Sequence, residues 1–590
     1  MKQITDFQKP ARYVGGEYGI AEMKPNAYRF CLCFPDVYEV GMSNLGTRIL
    51  YYTVNEGDVA NCERCYTPWP DYGNELRATG TPLVSLETKT PLKNFDAVGF
   101  SLQYELSYSN VLYMLDLAQI PLLAKDRSEK DPFIIFGGPC CVNVEPMADF
   151  ADIVQIGEGE QMLPELLRLL NDSKGMPKAQ VLQKAMEIEG IYIPSLQKPK
   201  YENGRIVGFT GGKRVKRRFV RSLEDTYFPR KAPVPNVEIV HDRAVAEIYR
   251  GCANGCRFCQ AGFLYRPVRE RSVSKLCDIC RDLADFTGFD EISLNSLSTG
   301  DYSGLKELLA ELKPYLKERH VQLALPSLRV DSFDRDFAQN NRKTGSLTFA
   351  PEAGTQRLRN VINKNVTEEN IMQTLGQAFE DGYATVKLYF MLGLPTETTE
   401  DVLEIANLVQ KIRSLFYQKR SSKKDLRLNV SVATFIPKPF TPFQWEAFDS
   451  FQHVEEKQAL LREKLKGRNF SFSYHDYDSS VMEAVFARGD RRLSSVLLGA
   501  YRKGSLFDGW SEYFKAENYY EAARECGVDL NDYLRARSQE EILPWDCIDI
   551  GVTRAFLWNE RAKSREAITT PGCNKRCSAC GLEKEGVCHR

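Results

Sequence analysis

Short apolar runs alternate with amphipathic stretches along the first two thirds of the chain, a rhythm that predicts strands each followed by a helix. Residues 28–34 (Tyr-Arg-Phe-Cys-Leu-Cys-Phe) form an apolar run that stops at Pro35-Asp36, and helical spacing follows over about 45–55. Ala97-Val-Gly-Phe-Ser-Leu102 repeats the strand pattern, with a helical stretch at about 110–117. Residues 133–136 then run into Gly137-Gly138-Pro139. Residues 153–156 run into Gly157-Glu-Gly-Glu160 and a helix that continues through Leu170. Short apolar strands separated by helices predict a parallel, doubly wound α/β sheet over residues 1–195.

Residues 196–234 break the rhythm. They are polar, punctuated by Gly and Pro, and locally basic at Lys213-Arg-Val-Lys-Arg-Arg218, so they read as a linker with room for a hairpin. The basic run raises RNA contact, although charge runs on connectors are ordinarily solvated. Over 235–450 the strand–helix alternation returns. Six strand patterns stand at 244–249, 291–294, 321–325, 346–349, 385–390 and 428–432, separated by helical spacing such as Leu305, Leu308, Leu309 and Leu312. Residues 451–570 change to charged helices, and 571–590 form a cysteine-rich tail.

Composition adds bounds. At 590 residues the chain exceeds one core and divides into several domains. A hydrophobic fraction of 43% with 27% charged residues is that of a globular protein, and a net charge of -1 gives no bulk attraction to nucleic acid or membrane. No apolar run reaches transmembrane length and no signal-peptide core follows Met1, which predicts a cytoplasmic protein without membrane contact. Seventeen cysteines, many at metal-type spacings, read as reduced thiols kept for metals and not as a disulfide framework. Histidine is scarce, and none of the five lies in the first 240 residues.

The densest chemistry lies in Cys252-Ala-Asn-Gly-Cys256-Arg-Phe-Cys259, directly after the strand pattern ending at Tyr249. Three thiolates at offsets of four and three can reach three corners of a [4Fe–4S] cube from one loop, which leaves the fourth iron open. A zinc site is the alternative. Four cysteines close the chain, Cys573, Cys577, Cys580 and Cys588, enough for zinc or a second cluster in a segment too short to form its own core. Two isolated pairs, Cys62/Cys65 and Cys277/Cys280, also have C-x-x-C spacing. The second sits in a helical pattern, and neither has a nearby partner pair, so both stay unassigned.

The Cys-x-x-x-Cys-x-x-Cys loop, with Phe258 before its last cysteine, resembles the signature of the radical S-adenosylmethionine (SAM) superfamily. That resemblance implies a partial (β/α)6 barrel of TIM type over 235–450, a [4Fe–4S] cluster on Cys252, Cys256 and Cys259, and reductive cleavage of SAM bound at the open iron. Electrons would come from a donor such as flavodoxin or ferredoxin. SAM brings a carboxylate, a sulfonium and ribose hydroxyls to the strand ends. The polar and glycine-rich groups there are Ser296 and Ser298 after the second strand, Arg329 after the third, Glu352 after the fourth and Gly393 after the fifth. Ser296-Leu-Ser-Thr-Gly-Asp301 stands where the superfamily usually has Gly-Gly-Glu, so its SAM contacts would be made by backbone groups and other side chains.

The N-terminal sheet resembles the cobalamin-binding domain that precedes many radical SAM barrels. Its Asp-x-His-x-x-Gly loop is matched by Asp36-Val-Tyr38-Glu-Val-Gly41, with tyrosine in place of the cobalt-ligating histidine, and Ser101 and Gly137-Gly138 stand near the later serine and glycines. Phenol is a poor cobalt ligand. Two readings stay open: cobalamin held without a lower protein ligand, or a degenerate domain kept as a substrate or partner module. The family resemblance extends through Leu102-Gln-Tyr-Glu-Leu-Ser107, Ala261-Gly-Phe-Leu-Tyr-Arg-Pro-Val-Arg-Glu-Arg271, Phe349-Ala-Pro-Glu-Ala-Gly354 and the tail. It implies an enzyme that abstracts hydrogen from a substrate the sequence does not name, with methylation or RNA modification within reach. The competing class is a nucleic-acid or protein-binding module with an inactive barrel.

Overall fold

The computed structural model describes residues 2–325, 346–421, 424–586 and 588. Six strands make the N-terminal sheet: β1 (Tyr28–Phe34), β2 (Ala60–Tyr66), β3 (Ala97–Ser101), β4 (Phe133–Gly137), β5 (Ile153–Gln155) and β6 (Ile191–Tyr192). Their order is β2-β1-β3-β4-β5-β6, parallel throughout except for the antiparallel edge strand β6. Side chains alternate across the sheet. Phe30, Leu32 and Ile135 face helices Leu45–Glu56 and Gly159–Asp172, while Cys33, Phe100 and Phe136 face helix Tyr108–Leu117. Both faces are therefore covered, which is why the strands read as continuous apolar runs. Asn44 starts the first helix by accepting the N–H of Thr47 at 2.9 Å.

Strand β2 was not legible as a strand, because Asn61, Glu63 and Arg64 interrupt its apolar positions. Its position settles the Cys62/Cys65 pair: residues three apart on a strand point to opposite faces. Cys62 lies in the core under Leu45–Glu56 and Cys65 in the core on the other side, so the two thiols cannot share a metal. Cys277 and Cys280 are both buried core residues of helix Val273–Thr287.

The linker contains a hairpin, β7 (Pro199–Glu202) with β8 (Arg205–Phe209), and then β9 (Val215–Lys216), which pairs with β19 (Ile548–Asp549). This uses most of the basic run internally. Buried Arg217 donates to the carbonyls of Leu264 and Arg266, Lys216 pairs with Glu585 at 2.8 Å, and Arg218 pairs with Glu165. Lys213 and Arg214, which lead the run, lie in an exposed bend.

All six expected barrel strands are present: β10 (Ala244–Glu247), β13 (Glu291–Asn295), β14 (Gln322–Ala324), β15 (Leu347–Glu352), β16 (Thr385–Leu392) and β17 (Arg427–Thr434). A seventh, β18 (Phe470–Tyr474), lies beyond residue 450, in a stretch whose charge had pointed to helices alone. The strands pair in parallel as β10-β13-β14 and β15-β16-β17-β18. Two short strands, β11 (Tyr249–Arg250) and β12 (Arg269–Glu270), pair antiparallel at the mouth. Along β16 and β17 burial alternates: Leu388, Phe390, Val430 and Val432 pack on helices Glu368–Glu380 and Thr399–Lys419, while Lys387, Tyr389, Asn429 and Ser431 lie on the opposite face.

The C-terminal helices do not build a separate core. Phe486, Leu493, Val496, Leu497 and Tyr519 join the core of the N-terminal sheet's second face. Among the described residues no helix is long and apolar enough to cross a membrane.

Candidate functional site

Pairing of β11 with β12 makes the chain leave and re-enter the barrel mouth at one place, and the three-cysteine loop lies between them. Gly251 opens the loop at φ +96°, where a side chain would collide with the carbonyls of Tyr265 and Pro267, so only glycine allows this close crossing. Tight turns then gather the thiols: the N–H of Cys259 donates to Cys256 O at 3.1 Å and that of Gly262 to Cys259 O at 3.2 Å. Cys256 is buried, and Cys252 and Cys259 are half-buried. Burial, with the neighbouring Cys256 and Cys252 thiols adding to it, pushes the Cys259 thiol up to about 12. Such a thiol stays protonated near neutrality and becomes a thiolate when a cation binds it.

Arg257 fastens the loop. Fully buried, it pairs with Glu560 at 3.1 Å and donates to the carbonyls of Asn360, Val361 and Ile568. Asn254 donates to Cys252 Sγ at 3.7 Å and to Asp301 Oδ2 at 2.9 Å, which ties the loop to the segment after β13.

Of the groups expected at SAM, Ser296, Ser298, Glu352 and Gly393 stand at the ends of barrel strands. Ser296 and Ser298 follow β13. Ser296 shares a 3.2 Å hydrogen bond with Thr299, whereas the Ser298 hydroxyl is buried without a partner and its carbonyl accepts the Tyr249 hydroxyl at 2.5 Å. Glu352 ends β15 at φ +69°, a strained conformation for glutamate. Burial raises its carboxyl, against the pull of Lys364 at 3.2 Å. Lys364 also acts on Cys259, so Glu352 and the loop share one neighbourhood. Gly393 follows β16 at φ +81°, packed against Asp449, and donates its N–H to Glu397 at 2.8 Å. Arg329 lies outside the described residues.

Between this mouth and the C-terminal edge of the N-terminal sheet is a cavity of about 680 Å³. Ser101, Gly137 and Gly138 line it from the sheet, and Tyr249, Gly251, Asn295 and Ser296 from the barrel. The size is in the range of small-molecule sites, and the cavity reaches the residue next to Cys252. Gly138, at φ +105°, lies against Leu102 where a side chain would not fit. Carboxylates from the sheet and from β10 close the junction. Glu158 pairs with Arg269 at 2.8 Å and with Arg250 at 3.2 Å; Glu160 and Glu247 bind Arg250 at 2.7 and 2.9 Å. Burial alone would raise Glu158, but Arg250 and Arg269 hold it below the usual carboxylate range. In the chain Gly157-Glu-Gly-Glu160 reads only as a strand end, because its partners lie 90 to 111 residues onward.

Tyr38 is turned away from the cavity. Its hydroxyl donates to Glu17 at 3.0 Å and accepts the N–H of Asn236 at 3.1 Å, in a buried pocket that raises its pKa. Asp36 beside it accepts from the Trp510 indole at 3.1 Å. The loop is sealed by the C-terminal region and offers the cavity no ligand from that position.

The tail packs on the three-cysteine loop. Cys573 N–H donates to Ala253 O at 2.8 Å, and Asn363 bridges Gly255 O and Thr570 O at 2.9 and 3.0 Å. Cys580 is buried, with its carbonyl accepting from Thr553 at 2.9 Å, while Cys573, Cys577 and Cys588 are exposed. Among the described residues, no three His, Cys, Asp or Glu side chains close on a point as a single metal ion requires.

Residues 46–194 match the family of N-terminal domains of radical SAM proteins, and residues 246–409 match the radical SAM superfamily. Over 497 residues the chain is 31% identical to an uncharacterized protein of Methanocaldococcus jannaschii, covering 82% of this chain and 96% of that one. It is 26% identical over 200 residues to the ribosomal protein uS12 methylthiotransferase RimO of Treponema denticola, covering 29% of this chain and 42% of that protein. Its fold is similar to that of the radical S-adenosylmethionine methyltransferase TsrM from Kitasatospora setae, solved with cobalamin and a [4Fe–4S] cluster bound. That likeness has a TM-score of 0.50 at 13% identity and covers 85% of this chain and 99% of the other.

Proposed function

This chain belongs to the radical SAM superfamily, and we propose that its three-cysteine loop and the adjoining cavity form the active site of a SAM-cleaving enzyme. The observation that carries the proposal is the cavity's reach to Gly251, one residue from Cys252. Cys252, Cys256 and Cys259 would hold a [4Fe–4S] cluster. Three thiols on one buried loop suit three irons and leave the fourth for SAM. When bound, the cluster would supply the electron for reductive cleavage of SAM, the chemistry that starts hydrogen abstraction.

The chain's own groups do the rest. The unpartnered Ser298 hydroxyl and the Glu352 carboxylate suit the polar groups of SAM, and Gly393 allows close backbone approach. Arg257 and Asn254 keep the loop in place. The ion pairs around Arg250 fix the cavity wall beside the loop.

A second reading, methyl transfer with cobalamin in the same cavity, draws support from the lining by Ser101, Gly137 and Gly138. The fold neighbour TsrM is a methyltransferase solved with cobalamin. With Tyr38 buried against Glu17, a corrinoid here would lack a lower ligand from that loop.

The test is anaerobic reconstitution with iron and sulfide, then dithionite and SAM, with 5′-deoxyadenosine scored by mass. Product from the wild type that vanishes in Cys256→Ala is the expected result. None from a preparation with its full iron complement would return the chain to a binding module with an inactive barrel. Added cobalamin that is retained through gel filtration separates methyl transfer from the other reactions.

A further inference from the structure

We propose that Cys573, Cys577, Cys580 and Cys588 hold a second [4Fe–4S] cluster that relays electrons to the cluster on the Cys252, Cys256 and Cys259 loop. The relay rests on the radical SAM reading of that loop; the tail cluster itself does not. The tail repeats the loop's offsets of four and three, and adds a fourth cysteine eight residues on. Four thiolates close all four corners of a cube, so such a cluster has no iron free for SAM and can only exchange electrons.

Three observations place it in the path. The first is contact. Cys573 donates its N–H to Ala253, the residue directly after Cys252, and the Asn363 side chain holds Gly255 and Thr570 together, so both cysteine sets belong to one rigid patch. The second is exposure. Cys573, Cys577 and Cys588 face solvent while Cys256 is buried, so a protein reductant reaches the tail more readily than the loop. The third is charge. Arg266 stacks over Phe263 and Phe556 with its Nη1 buried and unpartnered, and its Nη2 lies against Gly255 of the loop that Cys573 docks on. A buried cation with a spare donor suits an anionic cluster at that position.

Zinc is the competing occupant of four thiolates, and the offsets of four and three shared with the loop are what favour the cube.

In the relay, a reduced one-electron protein donor of the flavodoxin or ferredoxin class loses one electron to the oxidised tail cluster. The reduced tail cluster passes it to the loop cluster and returns to its oxidised state. No protein bond forms or breaks.

The full chain, reconstituted anaerobically, tests this in two arms. In the first, the triple variant Cys252→Ser, Cys256→Ser, Cys259→Ser is expected to keep about four irons per chain and a reduced-cluster electron paramagnetic resonance signal that SAM does not alter. Zinc in place of iron, or no metal, overturns the proposal. In the second arm, Cys577→Ser and, separately, Cys588→Ser at the exposed chain end should keep the loop cluster's dithionite-reduced signal and its response to SAM. Reduction of that cluster by reduced flavodoxin should slow by roughly tenfold or more in both. Reduction at the wild-type rate overturns the relay. Wild type that makes no 5′-deoxyadenosine with dithionite counts against the radical reading instead, and the iron count of the triple variant still judges the tail cluster.

Discussion

The two α/β modules are built from the same alternation of strand and helix, yet they end their strands differently. The N-terminal sheet is buried on both faces, and its C-terminal edge presents Ser101, Gly137, Gly138 and the carboxylates Glu158 and Glu160. The barrel strands bury one face and leave Tyr389, Asn429 and Ser431 on the other, and their ends present thiols, hydroxyls and Glu352. A sheet packed on both faces has only its edge to offer a ligand, whereas a barrel offers an interior as well. The sheet therefore supplies a wall and, together with Glu247 of the barrel, the ion pairs that fix Arg250, and the barrel supplies the three-cysteine loop.

Breaking the wall should give the largest effect. Glu158→Ala leaves the buried guanidinium of Arg269 short of its carboxylate and Arg250 short of one of three, which should cost about 3–5 kcal/mol. Urea unfolding followed by tryptophan fluorescence should show the lower midpoint, while the same change at Glu165, an exposed partner of Arg218, should cost less than about 1 kcal/mol.

The seam between the sheet and the C-terminal helices should show a pH signature of somewhat smaller size. Asp508 is buried between Ser109 at 2.5 Å and Tyr519 at 2.6 Å, and burial raises its carboxyl from 3.8 to about 6. Between those values the folded chain holds a proton that the unfolded chain has lost. Its contribution is thus fully present below 3.8 and falls by about 3 kcal/mol as pH rises through 6. Asp508→Asn should flatten that part of the profile in unfolding midpoints measured on either side of pH 6.

Tyr38→Phe sharpens the comparison most gently. It removes one donor from buried Glu17, which keeps Arg64 at 3.0 Å, and takes the acceptor from the Asn236 N–H, so it should cost about 1–2 kcal/mol. Because the ring faces Glu17 and not the cavity, the absorption spectrum of added cobalamin should match that of the wild type. A shifted spectrum would return Tyr38 to the site.

Much of this was legible in the chain. The strand patterns at 28–34, 97–102, 244–249, 385–390 and 428–432 became strands within a residue or two, because continuous or alternating apolar runs fix burial locally. The Cys252, Cys256 and Cys259 loop was legible because its ligand spacing is local too. Strands β2 and β18 were missed: polar residues interrupt the first, and the second lies among charged helices.

The sequence by itself determined the alternation, the two cysteine sets and their shared spacing, since each is written within a few residues. Only the tertiary structure decided that Cys62 and Cys65 face opposite cores, that Lys216, Arg217 and Arg218 of the basic run meet Glu585, two carbonyls and Glu165, that Tyr38 is a core residue, and that Cys573 docks beside Cys252. Each of these depends on partners tens to hundreds of residues away. Burial and pairing across such separations follow from how whole elements pack, which no local pattern of residues encodes.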